Sequence, residues 1–138
     1  MTFTRGISEL VLIVPDTGVS IAFYRDVVGL EPERTVGDSG MWFWTGKPGE
    51  SQRLLISTGP LYLEERSPLP AGKRWGRVHF AFEVARVDLD RAVAHVRGHT
   101  VEVFGPNHIG WMQATVYYFF DPDGNLLEFW SPDTPCTD

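Results

Sequence analysis

Cysteine is nearly missing from this chain: Cys136 stands alone in a polar tail, so no intrachain disulfide and no thiolate metal cluster can form. No apolar run approaches the roughly 18 residues that a helix needs to cross a bilayer. The opening Met1-Thr2-Phe3-Thr4-Arg5 also lacks the apolar core of a secretion signal, so a cytoplasmic location without a membrane partner is expected. Positive charge is in short supply. With 12 Lys and Arg against 18 Asp and Glu, the net charge of −6 disfavours a nucleic-acid partner, whose phosphates must be neutralised by cations. The chain carries no phosphate-cradling glycine motif and no Gly-x-Ser-x-Gly nucleophile elbow, which removes the commonest nucleotide-binding and serine-hydrolase signatures.

What is present is an ordinary globular composition, 43% apolar over 138 residues, enough for one compact domain whose core needs no staples. Leu10–Val14 reads as a buried strand closed at Pro15-Asp16. Val19, Ala22, Phe23 and Val27 follow at helical spacing, with Asp16 or Thr17 as the cap and Gly29 at the end. Strands are expected at Glu33–Val36, Met41–Thr45 and Gln52–Thr58. From Ser67 the composition turns to Ser, Pro, Gly and Lys, as expected of a linker. The pattern then restarts: a strand at Val78–Val84, a helix bearing Leu89, Ala92, Val93 and Val96, and strands at Thr100–Phe104, Thr115–Phe120 and Leu126–Trp130.

Both halves therefore read strand, helix, three strands, which raises internal duplication. Glu9–Val14 slides onto His79–Val84 at an offset of 70, and Leu54-Leu55-Ile56 onto Leu126-Leu127-Glu128 at an offset of 72. The expected organisation is module one over 1–66, a linker over 67–77 and module two over 78–138.

Strand alternation sorts the candidate residues. Leu10, Leu12 and Val14 share one face and suit packing under a helix; Glu9 lies on the other. Phe80, Phe82 and Val84 are separated from His79 in the same way, and Glu128 shares its face with Leu126 and Trp130. A carboxylate buried on such a face is costly unless paired or bound to a cation. Two carboxylates and an imidazole together suit a divalent metal with mixed O and N ligands. Each also has a plain alternative: a solvated Glu9, a hydrogen-bonded core His79, or a Glu128 paired with Arg53 or Arg77. Trp42, Trp44, Trp111, Tyr118 and Trp130 offer aromatic surface to a flat ligand, or belong to the core. His108, in Gly105-Pro106-Asn107-His108-Ile109-Gly110, reads as a loop residue that could also serve as a general base.

Two segments carry a resemblance. Ile21-Ala22-Phe23-Tyr24-Arg25-Asp26-Val27-Val28-Gly29-Leu30 and the hairpin Tyr118-Phe119-Phe120-Asp121-Pro122-Asp123-Gly124-Asn125-Leu126-Leu127-Glu128 resemble the helix and terminal hairpin of vicinal-oxygen-chelate proteins, the group of glyoxalases, bleomycin-resistance proteins and extradiol dioxygenases. The resemblance covers nearly the whole chain. It implies an α+β fold of two tandem βαβββ modules forming an open, cup-shaped mixed β-barrel, with the modules often paired across a homodimer.

Metal-binding members carry ligands on the first and last strand of each module, which places them here at Glu9, His79, Glu128 and Ile56. Ile56 cannot coordinate, so a Glu9–His79–Glu128 set remains for one divalent ion: Zn, Ni, Mn, Co or Fe. The implied function is a glyoxalase-like lyase or isomerase acting on a small substrate with vicinal oxygens, with Glu128 as a possible base. Trp42, Trp44, His108, Trp111 and Tyr118 are the expected substrate contacts. The alternatives are a metal-free binding protein with an aromatic groove, of the bleomycin-resistance type, and an extradiol-type dioxygenase. The latter usually carries His at the position held here by Glu9.

Overall fold

In the computed structural model, residues 2–59 and 78–133 are described, and they belong to two compact units, Met1–Trp75 and Gly76–Asp138. The linker expected over 67–77, Arg77 and Cys136 lie outside the described residues.

The first unit begins with β1 (Glu9–Ile13). Asp16 then caps α1 (Thr17–Ala22), its carboxylate accepting from the Val19 N–H at 3.2 Å. The helix expected as one α-helical run changes at Phe23 to a π-helical stretch that reaches Val28. It ends at Gly29, whose φ of +84° is the left-handed conformation that a residue without Cβ adopts at low cost. Strands β2 (Glu31–Val36), β3 (Gly40–Trp44) and β4 (Arg53–Ser57) complete a sheet ordered β1-β4-β3-β2, with β1 and β4 parallel. One face holds Leu12, Phe43, Leu54 and Ile56, all buried with Tyr24 and Val27 of the helix.

The second unit repeats the plan. Its elements are β5 (His79–Glu83), α2 (Leu89–Gly98), β6 (Phe104–Ile109), β7 (Ala114–Phe120) and β8 (Leu126–Pro132). The sheet order is β5-β8-β7-β6, with β5 parallel to β8. Phe82, Phe119, Leu127 and Phe129 are buried, as are Leu89, Val93 and Val96 on one stripe of α2. The fold class is α+β, built from two βαβββ modules, and Leu10–Val14 and Phe80–Val84 occupy equivalent places in them.

Sequence expectations fail at two points, the path into β6 and the register of the repeat. Residues 100–103 are not a strand: Thr100 takes a φ of +63° just after α2, and pairing starts only at Phe104. The segment read as a loop around Gly105-Pro106-Asn107-His108 is the body of β6. As the edge of its sheet it tolerates a proline that cannot donate to a ladder, and its register shifts between Phe104 and Asn107. Gly105 is required there. Its φ is +124°, and an added Cβ would lie 2.9 Å from the Val116 carbonyl oxygen.

The second failure concerns the repeat. Glu9 pairs with Arg53 and His79 with Leu126, so the last strands correspond at an offset of 126 − 53 = 73 rather than 72. Shifting a strand by one residue reverses its faces. The counterpart of Glu128 is therefore Leu55, whereas Ile56 corresponds to Phe129 in the helix-packed layer. Matching Leu-Leu-Ile to Leu-Leu-Glu by apolar identity hid that slip.

The β7–β8 turn ties the second module together. Asp121 is buried, and its Oδ1 accepts from the N–H groups of Asp123 (3.0 Å) and Asn125 (2.8 Å) while Oδ2 accepts from Asn125 Nδ2 (2.8 Å). Asn125 Oδ1 in turn accepts from the Val78 N–H at 3.0 Å, one residue before β5. Replacing Asp121 with Ala removes three charge-assisted acceptances at once. The expected loss of unfolding free energy is about 2–4 kcal/mol, read from urea denaturation; a change below about 0.5 kcal/mol, typical of a neutral surface position, would contradict this role for the turn.

Candidate functional site

The β5–β8 register places His79 beside Leu126 and Ala81 beside Glu128. His79 Nδ1 lies 3.0 Å from the Leu126 carbonyl oxygen, and Nε2 lies 3.2 Å from Glu128 Oε2. A carbonyl oxygen only accepts, so Nδ1 carries the hydrogen and points it at Leu126. In the neutral imidazole Nε2 then presents a lone pair to a carboxylate oxygen. Two acceptors facing each other at this distance need a proton or a cation between them. The Glu128 side chain is 8% exposed, the His79 side chain 50%. The pair thus has a buried anionic side and an open side.

Tyr118 is the Cα partner of Glu128 and so shares its face. Burial, and then the Glu128 charge, raise the Tyr118 hydroxyl above its ordinary value of 10.0, so at neutral pH it is a phenol with a proton to donate. Its ring centroid is 6.3 Å from that of His79. Trp130, two residues beyond Glu128 on the same face, has a buried Nε1 without a hydrogen-bond partner among the described residues. The face therefore combines an acceptor pair with two donors, one of them unsatisfied.

The other expected residues distribute differently. Trp42 pairs with Leu55 and Trp44 with Arg53, which puts both indoles on the non-helix face of the first sheet, together with Glu9. Glu9 is exposed and forms no ion pair with a described residue. Trp111 is 86% exposed, on a short 3-10 turn after β6. His108 pairs with Thr115, and strand alternation puts these two on the opposite face of the sheet from Tyr118 and Glu128. There His108 Nδ1 lies 3.1 Å from Asp133 Oδ2, and the Thr115 hydroxyl donates to Asp133 Oδ1 at 3.0 Å. These groups adjoin a shallow cavity of about 390 Å³ bordered by Arg86, Asp90 and Tyr117, on the α2 side of the sheet. Among the described residues, no group of three His, Cys, Asp or Glu side chains lies close enough to hold a metal ion within one chain.

Sequence reasoning offered Arg53 as a partner for Glu128. The structure gives Arg53 to Glu33 instead, with Nη1 3.1 Å from Oε2, and lays its guanidinium over Trp42 at 4.5 Å from the ring centroid. The signal that could have found it is the β4 alternation: Arg53 shares parity with Leu55 and so faces away from the helix. Asp133 was missed because nothing in its neighbourhood distinguishes it from a tail residue.

Comparison with known proteins agrees with this architecture. Residues 6–129 match the family described as the Glyoxalase/Bleomycin resistance protein/Dioxygenase superfamily. The chain is 30% identical to the uncharacterized protein YaeR of Escherichia coli over 127 residues, 91% of this chain and 95% of that protein. Among solved structures it is similar to lactoylglutathione lyase from Agrobacterium tumefaciens, with a TM-score of 0.70 and 24% identity over 94% of this chain and 96% of the other. It is also similar to the fosfomycin resistance protein FosX of Listeria monocytogenes, solved with Mn(II) and a dihydroxypropylphosphonic acid. That match has a TM-score of 0.64 and 20% identity over 92% of this chain and 90% of the other. Matched over nearly its whole length and built from two βαβββ modules, this chain belongs to the glyoxalase, bleomycin-resistance and dioxygenase superfamily.

Proposed function

We propose that the protein is a divalent-metal-dependent lyase or isomerase of the glyoxalase kind, acting on a small substrate with vicinal oxygens. The observation that carries this reading is the His79–Glu128 pair: a ring nitrogen whose tautomer is set by Leu126 faces a buried carboxylate at 3.2 Å. Carboxylate and imidazole donors suit first-row divalent ions, and such an ion would satisfy both groups. His79 and Glu128 would hold the ion. Glu9, exposed and without an ion-pair partner among the described residues, is the third ligand, donated in a homodimer by the first module of the second copy. When bound, such an ion would supply Lewis-acid stabilisation of negative charge on a substrate oxygen.

The chain's own residues account for the rest. Glu128 Oε2 faces His79, which leaves Oε1 to accept a proton from the substrate carbon next to the carbonyl. Tyr118 donates its hydroxyl proton in a hydrogen bond to a substrate oxygen. Trp130 Nε1 donates to a second acceptor, which relieves a buried donor that has none among the described residues. The metal-free binding reading loses its best surface, since the Arg53 guanidinium already covers Trp42. Glu9 stands against extradiol cleavage, because that chemistry usually takes His at this position.

Titration calorimetry with Zn²⁺, Mn²⁺, Ni²⁺ and Fe²⁺ tests the ligand set. His79→Ala is expected to weaken uptake about a hundredfold or more, roughly 2.7 kcal/mol, and Glu128→Gln nearly as much. Isotherms indistinguishable from wild type would end the metal reading. Mixing tests the sharing of the site. Glu9→Gln and His79→Ala each cripple both sites of their own homodimer. A mixed dimer regains one intact site of two, so random exchange restores about one quarter of wild-type metal uptake by the arithmetic of a two-fold dimer. Dimers that exchange subunits and recover no uptake would overturn the sharing of the site across the dimer, and wild-type uptake by Glu9→Gln alone would place Glu9 outside the site.

A further inference from the structure

The duplication contains an internal comparison. On the non-helix face of the second sheet, the row His79–Leu126–Phe120 adjoins the row Ala81–Glu128–Tyr118. The matching rows of the first sheet are Glu9–Arg53–Trp44 and Val11–Leu55–Trp42. Where the second module has its buried carboxylate, the first has Leu55; where the second has Leu126, the first has Arg53. The two faces have taken opposite charge roles. One presents a carboxylate and an imidazole, the other a fixed cation.

Arg53 is held on three sides. Its Nη1 donates to both oxygens of Glu33, at 3.1 and 3.3 Å, while its Cζ lies 4.5 Å from the Trp42 ring centroid and 5.9 Å from that of Trp44. Glu33 can reach it because the β2–β3 register shifts between Pro32 and Arg34. Such a bulge re-aims a side chain that regular alternation would send to the other face. Arg34 Nε also approaches Glu33, at 3.8 Å. Two guanidiniums on Glu33 leave that trio with a net positive charge, facing the exposed Glu9 across the row.

A guanidinium has five N–H donors, and Glu33 engages only those on Nη1. The Nε–H and the two Nη2–H groups have no partner among the described residues, although the Arg53 side chain is only 29% exposed. That free edge is a planar fork, whose spacing matches the two oxygens of a carboxylate. Cation–π contact and the Glu33 bond fix the rotamer in advance, so little side-chain entropy is lost when the fork is filled. Glu9 is the one carboxylate in the same row, and it is exposed, so solvent screens its repulsion.

We propose that Arg53 is the anchor for a carboxylate on the protein's small-molecule ligand, with the Nε–Nη2 edge taking both oxygens and the less closely covered Trp44 ring flanking a flat part of the molecule. The carboxylate site stands on the first module alone. Its assignment to the substrate rests on the metal-centred reading above, and narrows that substrate to an acid bearing vicinal oxygens.

Benzoate and benzamide are flat, nearly isosteric probes that differ in charge, and both can be titrated into chelator-treated, metal-free protein by calorimetry and tryptophan fluorescence. Wild type is expected to bind benzoate saturably, and benzamide about tenfold more weakly or worse, the usual scale for losing charge-assisted hydrogen bonds. Arg53→Met should reduce benzoate to the level of benzamide. Arg53→Lys, which keeps the charge and loses the fork, should fall between them. Metal uptake by Arg53→Met should match wild type. No saturable benzoate binding, equal binding of the two probes, or wild-type benzoate affinity in Arg53→Met overturns the proposal. If Arg53→Met does not fold, Arg53→Lys decides: benzoate affinity equal to wild type rules out the fork. Loss of metal binding in no variant, with benzoate selectivity intact, would sink the metal reading and leave the carboxylate site standing.

Discussion

Val78 donates its N–H to Asn125, and from that bond the parallel register of β5 on β8 follows, pair by pair, to Glu83 and Trp130. His79 and Glu128 are 49 positions apart in sequence (128 − 79), and no local preference brings them together. They meet because the first and last strands of a module are neighbours, and because the turn at Asp121–Asn125 reaches across to fix where β5 begins. Parallel pairing of distant strands carries a loop-closure cost that local contacts cannot offset. A buried, fully engaged carboxylate in the turn is a reasonable way to meet it, since charge-assisted acceptance from three donors is among the stronger single contributions available to a chain of this size.

The amphipathic division of each sheet then does the sorting. Apolar residues of one parity go under the helix, and the other parity is left to carry polar groups. This explains why the candidate residues lie where they do without any feature specific to binding. Glu9, Arg53 and Trp44 form one row, and Glu128 and Tyr118 belong to another, because cross-strand partners share a face. It also explains why His108 separates from Tyr118: with β6 paired from Asn107 through Ile109, His108 falls on the α2 side, next to Thr115 and Asp133.

Much of this was legible in the sequence. The two modules, the α2 face, the caps at Asp16 and Gly29, the Asp-Pro-Asp-Gly-Asn turn and the facing of Glu9, His79 and Glu128 all follow from period, capping and turn chemistry. Val19, by contrast, expected on the buried face of the first helix, is 51% exposed, and Ser20 and Tyr24 are buried instead. What else was not legible depended on register. Bulges at Glu33 and near Gly105-Pro106 are set by pairing with a distant strand, and neither leaves a composition signal that separates it from a loop. The one-residue error in matching Leu54-Leu55-Ile56 to Leu126-Leu127-Glu128 has the same origin. Three apolar residues in a row carry no parity, so only the ladder says which of them faces the helix.

That register also makes the first module a natural control for the second. Leu55 stands where Glu128 does, between Val11 and Trp42 as Glu128 stands between Ala81 and Tyr118. The chain has therefore solved the same packing problem twice, once with a hydrocarbon and once with an acid paired with His79. Buried ion pairs are often no more stable than the apolar residues that can replace them. Among the described residues the Trp130 indole near Glu128 has no hydrogen-bond partner, so an acceptor that reached it would add rigidity and heat resistance. In engineering terms, Glu128→Leu would copy the solution already present in the other half, giving a sturdier scaffold.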